Sequence, residues 1–136
     1  MVVLVYTRRV QMEAQQRTIL VVDDEPSLRL LCRVNLELEG YRVLEAATVD
    51  HAREQLAAEA IDVVLLDVHV GTDSGLDLLD EIEALELPVR VVVLSGTSEI
   101  SAELRERVDG VLGKPFALPE LSAAVGDGGS DRVSGA

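Results

Sequence analysis

Apolar runs rich in β-branched residues alternate along the chain with longer stretches in which apolar residues recur at helical spacing. Five of these runs are predicted strands: 18–22, 41–45, 61–66, 89–94 and 110–113. Strict alternation of strands and helices is typical of a parallel sheet covered by helices on both faces. The pattern therefore predicts an α/β domain built on an open five-stranded parallel sheet.

The helices predicted between the strands have recognisable start and stop signals. Pro26 suits the first turn of a helix that runs to Gly40, since proline tolerates that position and glycine often follows a helix. Thr48 caps a second helix, which reaches about Glu59. The other three helices are predicted at about 75–85, 98–108 and 118–125.

The predicted elements form one domain, residues 18–125, with a further segment at each end. Residues 1–17 are interpreted as an N-terminal extension, either flexible or produced by an early start site, with Met12 as the natural start. The alternative is an added edge strand or an arm. Residues 126–136 are rich in glycine and serine, so we expect a disordered tail.

Composition narrows the class of protein. The 136 residues are 48% apolar and 27% charged, which is ordinary for a soluble globular domain. The net charge of −13 argues against nucleic acid or an anionic membrane as a direct partner. The single cysteine, Cys32, excludes an internal disulfide, and no apolar run approaches the roughly 18 residues of a membrane span. We therefore expect a cytoplasmic protein.

Polar residues follow four of the predicted strands: Asp23-Asp24, Asp67, Ser95 and Lys114-Pro115. The carboxyl ends of parallel strands meet at one edge of a sheet, where ligands bind. Carboxylates are hard ligands for Mg²⁺, an aspartate can attack phosphorus, and a hydroxyl and an ammonium can hold phosphoryl oxygens. Taken singly, each has an ordinary alternative: a helix cap, a strand-terminal Asp, or a common turn dipeptide. Together they indicate a metal-assisted phosphoryl site.

The same residues carry a family resemblance. The segments 21–26 (Val-Val-Asp-Asp-Glu-Pro) and 114–116 (Lys-Pro-Phe), with Asp67, Ser95 and Gly75 at their spacing, closely resemble the receiver domain of two-component response regulators. The resemblance covers residues 18–125 and favours the single-domain type found in chemotaxis regulators. It implies a doubly wound, flavodoxin-like fold with strand order 2-1-3-4-5.

The resemblance also implies roles for the site residues. Asp67 would accept a phosphoryl group from a phosphohistidine on a sensor histidine kinase or a histidine phosphotransfer protein. Asp24, Asp67 and the backbone carbonyl of His69 would bind Mg²⁺ (or Mn²⁺) directly, and Asp23 would help through water. Ser95 and Lys114 would contact the phosphoryl oxygens, and Ser95 would move when the acyl phosphate forms.

Three positions bear on how this chain differs from the family pattern: Val111, His69 and Thr97. Val111 stands where the family usually has an aromatic residue, and the region after Ser95 is short, so the usual dimerisation surface is reduced. We therefore expect a monomer or a weak dimer. The resemblance places His69 and Thr97 where side chains of the family often tune the lifetime of the phosphoryl group, and neither residue is acidic or an amide. We expect slow autodephosphorylation.

A second apolar stripe on the first helix consists of Leu30, Val34 and Leu38, at the spacing of one helix face. Exposed apolar stripes usually mark contact surfaces. The family commonly docks this helix on the helical bundle that bears the phosphohistidine, so we expect the stripe to bind the phosphodonor. The alternative is that residues 1–17 cover it.

Two other functions remain open. A phosphohydrolase with an aspartyl-phosphate intermediate would have an acid two residues after its nucleophile, where this chain has His69. A receiver-like module could also bind partners without phosphorylation. The favoured interpretation is a stand-alone receiver that catalyses only its own phosphorylation and slow dephosphorylation. It would then act on an unknown downstream protein.

Overall fold

The computed structural model of the protein describes residues 16–96 and 100–135, with side chains described through residue 126. The strands, in chain order, are β1 (Thr18–Val22), β2 (Arg42–Ala46), β3 (Val63–Asp67), β4 (His69–Val70), β5 (Asp73–Ser74), β6 (Arg90–Ser95) and β7 (Gly110–Gly113). The helices are α1 (Pro26–Leu38), α2 (Val49–Ala58), α3 (Gly75–Ala84), α4 (Ala102–Arg107) and α5 (Leu118–Gly135).

Five strands form a parallel sheet in the order β2-β1-β3-β6-β7. This is the predicted order 2-1-3-4-5 once the short strands β4 and β5, which pair only with each other, are set aside. The fold prediction is therefore confirmed. The central pair, β1 and β3, places Val22 beside Leu66, so the residues that follow these two positions start from neighbouring strands.

The sheet is buried on both faces, which explains why its strands read as continuous apolar runs. Ile19 and Val21 of β1 pack with α1 and α5, while Leu20 and Val22 pack with α2, α3 and α4. Alternate residues of a strand point to opposite faces, so a single run supplies both layers of the core.

Helix ends are fixed by side-chain caps at three of the five helices. Thr48 Oγ1 accepts a hydrogen bond from His51 N at 3.0 Å at the start of α2, and Ser74 Oγ accepts one from Leu76 N at 3.2 Å at the start of α3. Each cap satisfies a backbone donor that has no partner within the helix. The third cap, Ser101, lies at the start of α4.

Helix α4 is shorter than predicted. The sequence pattern placed a helix at 98–108, whereas the helix begins at Ala102 and ends at Arg107. Ser101 is the N-cap, and its Oγ accepts from Leu104 N at 3.0 Å. Apolar spacing alone could not show that the helix begins after Ser101 and not near Ser98.

Helix α5 is longer than predicted. The glycines after Val125 were expected to end it and to begin a disordered tail at 126–136, yet the helix continues to Gly135. A glycine costs about 1 kcal/mol relative to alanine inside a helix but does not block its hydrogen bonds, as proline does. No proline follows Pro119, so no later residue removes a backbone donor from the helix.

The loop predicted after β3 contains a small hairpin. His69 pairs with Ser74 and Val70 with Asp73, and Gly71 turns the chain with a φ of 64°. Strands of two residues are too short to show a periodic pattern, so this hairpin was missed. The predicted extension lies outside the described residues as far as residue 15. Within the described ranges, no helix has the length and apolar character that crossing a bilayer requires.

Candidate functional site

Three carboxylates meet at the carboxyl edge of the central strands. Asp23 follows β1 and is fully buried, Asp24 is exposed, and Asp67 ends β3 in a partly buried position. One oxygen from each lies within 4.8 Å of the others. The direct pairing of β1 with β3 enforces this proximity, because adjacent strands lie only about 4.8 Å apart.

Lys114 supplies the cation of the cluster. Its Nζ donates to Asp23 Oδ2 at 2.8 Å and to Asp67 Oδ2 at 3.1 Å. The backbone of Lys114 is itself held next to β6, because its N–H donates to the carbonyl of Ser95 at 2.7 Å. The Lys114–Pro115 peptide bond is cis. The ammonium thus bridges two carboxylates that would otherwise repel each other.

The electrostatics of the cluster follow from burial and pairing. Burial raises the pKa of Asp23, and the neighbouring Asp67 charge adds to that rise, while Lys114 and the Glu25 N–H oppose it. Burial disfavours the charged form of Lys114, but contacts with Asp23 and Asp67 outweigh it and raise its pKa above the ordinary value. The site therefore favours the charged form of Lys114 and disfavours the charged form of Asp23.

Asp67 is held by the chain that follows it. His69 N donates to Asp67 Oδ1 at 3.3 Å, and Gly75 N donates to the carbonyl of Val68 at 2.6 Å. A Cβ at Gly75 would lie only 2.0 Å from the backbone oxygen of Asp67. Glycine is required here because the first turn of α3 packs directly against the backbone of the phosphoacceptor candidate.

The remaining predicted site residues lie around this cluster. Ser95 is buried at the end of β6, and Val111 is half-buried in β7 opposite Val93. His69 is exposed in β4. Thr97 lies outside the described residues. Of the predicted phosphoryl-site groups, Asp23, Asp24, Asp67, Ser95 and Lys114 are therefore brought to one edge of the sheet.

The predicted docking stripe is exposed on α1. Leu30, Val34 and Leu38 are 49%, 46% and 80% exposed. Leu31 is 42% exposed and widens this surface. Cys32 and Leu36 form the face that is buried. Burial raises the pKa of the Cys32 thiol to about 11.

One contact was not predicted from the sequence: Arg29 Nη1 donates a hydrogen bond to the backbone carbonyl of Asp23 at 2.7 Å. A cation near the start of a helix is disfavoured by the helix dipole. Arg29 lies near the start of α1, and the first turn of this helix has no acidic residue. That unfavourable placement was the available signal that this arginine has another role.

The acidic cluster suits a divalent cation. Three carboxylate oxygens within 4.8 Å, one of them on a fully buried residue, form a set of hard oxygen donors. The neighbouring backbone carbonyls of the β3–β4 turn could add neutral oxygen ligands. The donor set therefore fits Mg²⁺ or Ca²⁺ better than a soft transition metal.

Comparison with known proteins identifies the arrangement. Residues 19–126, more than half of the chain, match the family described as the response regulator receiver domain. The chain belongs to this family. Both the family and the strand order expected from the resemblance are confirmed, and the receiver is a signalling module of two-component systems.

Two curated relatives show how much of this receiver is shared. The KDP operon transcriptional regulatory protein KdpE of Escherichia coli is 34% identical over 108 residues, which is 77% of the receiver chain and 48% of KdpE. Sporulation initiation phosphotransferase F of Bacillus subtilis is 29% identical over 110 residues, or 79% of the chain and 89% of the relative. The chain spans about half the length of the first curated relatives it matches.

Solved receivers have the same fold. The receiver domain of NtrX from Brucella abortus is 33% identical with a TM-score of 0.70, and the alignment covers 76% of this chain and 90% of that one. A response regulator from Burkholderia pseudomallei, solved with a phosphorylated aspartic acid, calcium ion and citrate, is 28% identical with a TM-score of 0.74. That alignment covers 89% of this chain and 74% of the other.

Proposed function

We propose that this receiver accepts a phosphoryl group on Asp67 from a phosphohistidine of a sensor histidine kinase or a histidine phosphotransfer protein. The observation that carries the proposal is the bridge from Lys114 to Asp23 and Asp67, set among three carboxylates within 4.8 Å. The phosphorylated aspartic acid in the Burkholderia pseudomallei regulator supports the same chemistry.

The chain's own residues account for the transfer. A carboxylate oxygen of Asp67 attacks phosphorus, the bond from phosphorus to the donor nitrogen breaks, and the bonding electron pair stays on the imidazole. Lys114 offers a positive charge to the phosphoryl oxygens, and it already lies at 3.1 Å from Asp67. Ser95, at the end of the adjacent strand, would donate its hydroxyl to another phosphoryl oxygen.

The metal in this proposal is Mg²⁺ or Mn²⁺. Asp24, Asp67 and the backbone carbonyl of His69 would hold it directly, and Asp23 would contribute through water. When bound, the ion neutralises charge on the transferring oxygens. Asp23 suits the indirect role because its Oδ1 accepts from Glu25 N at 2.9 Å and its Oδ2 accepts from Lys114.

The docking surface that we propose for the phosphodonor is the exposed stripe on α1. Leu31 joins the stripe to a groove lined by Glu25, Leu28 and the segment 114–116, which includes Lys114 of the site. An apolar surface that continues into the reacting groups suits a helical bundle whose histidine must reach Asp67. The occupant is therefore the bundle that carries the phosphohistidine.

Phosphorylation is tested with a small acyl phosphate and Mg²⁺, followed by intact-protein mass. The wild-type chain should gain one phosphoryl group, and Asp67→Asn should gain none. Asp73→Asn, a matched change in the exposed hairpin, should behave like the wild type. An unmodified wild type, or equal labelling of Asp67→Asn, would overturn the proposal and favour the phosphorylation-independent interaction module.

The lifetime of the acyl phosphate stays a prediction. His69 is exposed two residues after Asp67, and its imidazole is neither an acid nor an amide that would orient an attacking water in the usual way. We expect slow autodephosphorylation, and a phosphoryl half-life of seconds in the purified protein contradicts this.

A further inference from the structure

Arg29 links the acidic cluster to the edge strand. Its Nη1 donates to the backbone carbonyl of Asp23 at 2.7 Å, and its Nε donates to Glu45 Oε1 at 3.1 Å. The other oxygen of Glu45 accepts from Arg33 Nη1 at 2.7 Å. Arg29 is the better enclosed of the two arginines, with a side chain 16% exposed against 43% for Arg33. One guanidinium therefore ties the loop after β1 to a carboxylate of β2.

The backbone of Asp23 is fixed on both sides by β2. Its N–H donates to the carbonyl of Ala46 at 3.1 Å, while its carbonyl accepts from Arg29, which Glu45 holds. The Asp23 carbonyl and the Asp24 N–H belong to the same planar peptide unit. Fixing the direction of that carbonyl therefore fixes the direction in which the chain enters Asp24.

Asp24 depends on its backbone for its position. Its side chain is exposed, whereas Asp23 is enclosed by Lys114 and the Glu25 N–H. Resting on the function proposed above, we propose that Arg29 is a positioning residue that aims Asp24 at the metal through the Asp23–Asp24 peptide. It does not touch the metal or the phosphoryl group.

Charge and position predict opposite results for this arginine. If Arg29 acted only as a nearby positive charge, its removal would strengthen Mg²⁺ binding to the carboxylates, because like charges disfavour each other. If Arg29 positions Asp24, its removal weakens binding. Loss of a group that orients a metal ligand typically costs 10- to 100-fold in affinity, so we expect about tenfold for Arg29→Ala.

The experiment is a calorimetric Mg²⁺ titration of the full chain. Arg29→Ala should weaken binding about tenfold, and Arg33→Ala should stay within about twofold, because it removes a Glu45 pair without touching Asp23. Arg29→Lys keeps the charge but lacks the rigid fork that spans two acceptors, so it should also weaken binding. In the metal-free protein, hydrogen exchange at the Asp23 amide, which donates to the carbonyl of Ala46, should rise in Arg29→Ala and not in Arg33→Ala.

Defined outcomes overturn the inference. Unchanged or tighter Mg²⁺ binding by folded Arg29→Ala, or equal weakening by Arg33→Ala, shows that Arg29 does not position Asp24. If Arg29→Ala fails to fold, Arg29→Lys and Glu45→Gln decide, because Glu45→Gln leaves Arg29 in place and removes only the charge of its anchor. It should weaken binding less than Arg29→Lys, and unchanged binding in both rejects the inference.

Phosphorylation kinetics separate this inference from the proposed function. For Arg29→Ala, the Mg²⁺ concentration that half-saturates labelling by acyl phosphate should rise about tenfold, with a maximal rate within about twofold of the wild type. A wild type that binds Mg²⁺ but is never labelled contradicts the proposed function alone. A wild type that is labelled normally, with no difference between the Arg29 and Arg33 variants, contradicts the positioning role alone.

Discussion

At the scale of single residues, Asp23 shows how the site balances burial against charge. The residue is fully buried, yet both carboxylate oxygens and its backbone carbonyl accept hydrogen bonds, from Glu25, Lys114 and Arg29. These contacts offset the cost of burying a charge, but its pKa is still raised. The charged form of the buried carboxylate therefore lowers the stability of the fold.

Asp23→Asn should stabilise the metal-free protein at pH 7 by about 0.5–2 kcal/mol, the usual gain when a strained functional group is relieved. Because the folded-state pKa of Asp23 lies above the unfolded value of 3.8, folding takes up a proton between these two pKa values. Wild-type stability therefore rises as pH falls through that window, and the advantage of asparagine is full above it and shrinks toward pH 3.8.

Urea unfolding at several pH values measures this difference. Asp24→Asn is the control, since Asp24 is exposed and its neutralisation should change stability much less. A destabilised Asp23→Asn at pH 7 would mean that the ion pair with Lys114 outweighs the burial cost.

Gly75 illustrates a residue chosen by close approach. Gly75→Ala should destabilise the protein by about 3 kcal/mol, because the new Cβ meets the Asp67 backbone oxygen at 2.0 Å and the backbone must move. Helix propensity alone would favour alanine, so it cannot explain such a loss. Chemical unfolding followed by circular dichroism measures the change. Gly113→Ala, where a Cβ meets nothing within 4 Å, should stay within about 0.5 kcal/mol of the wild type.

At the scale of elements, the sequence predicted what depends on local pattern. The five parallel strands were evident because each is an apolar run buried on both faces, and the four polar strand ends placed the site. Other features were not evident from pattern. The start of α4 depends on which of two serines caps it, and the end of α5 depends on how far a helix continues through glycine. The 69–74 hairpin depends on strands of only two residues. Arg29 was missed because its two partners, Asp23 and Glu45, meet only after β2 pairs with β1.

Helix α1 offers the element-level test of donor docking. Val34→Glu should slow phosphotransfer from a phosphorylated histidine protein about tenfold, since a charge facing an apolar partner costs on the order of 1.4 kcal/mol or more. Labelling by a small acyl phosphate should not change. Leu85→Glu is the matched control, because Leu85 is 68% exposed but lies at the end of α3, outside the stripe. Equal slowing with both donors, or by both variants, would reject docking on α1.

At the scale of the whole molecule, we expect the receiver to self-associate only weakly. Helix α4 has six residues, β7 has four, and Val111 replaces the aromatic residue expected from the family resemblance. The net charge of −13 adds repulsion between copies. Sedimentation velocity should therefore show a monomer with Mg²⁺ alone and at most a weak dimer after beryllofluoride is added. A tight dimer in beryllofluoride would contradict this expectation.

The bridge made by Lys114 also bears on how the protein is made. Lys114 pairs with Asp23 across 91 positions of the chain, and it follows the last strand of the sheet. During synthesis the N-terminal strands emerge first. Asp23 and Asp67 therefore remain without their cation until β7 has been released and has joined the sheet. We therefore expect only the completely folded chain to take up a phosphoryl group. A nascent or truncated receiver that ends before β7 should not be phosphorylated.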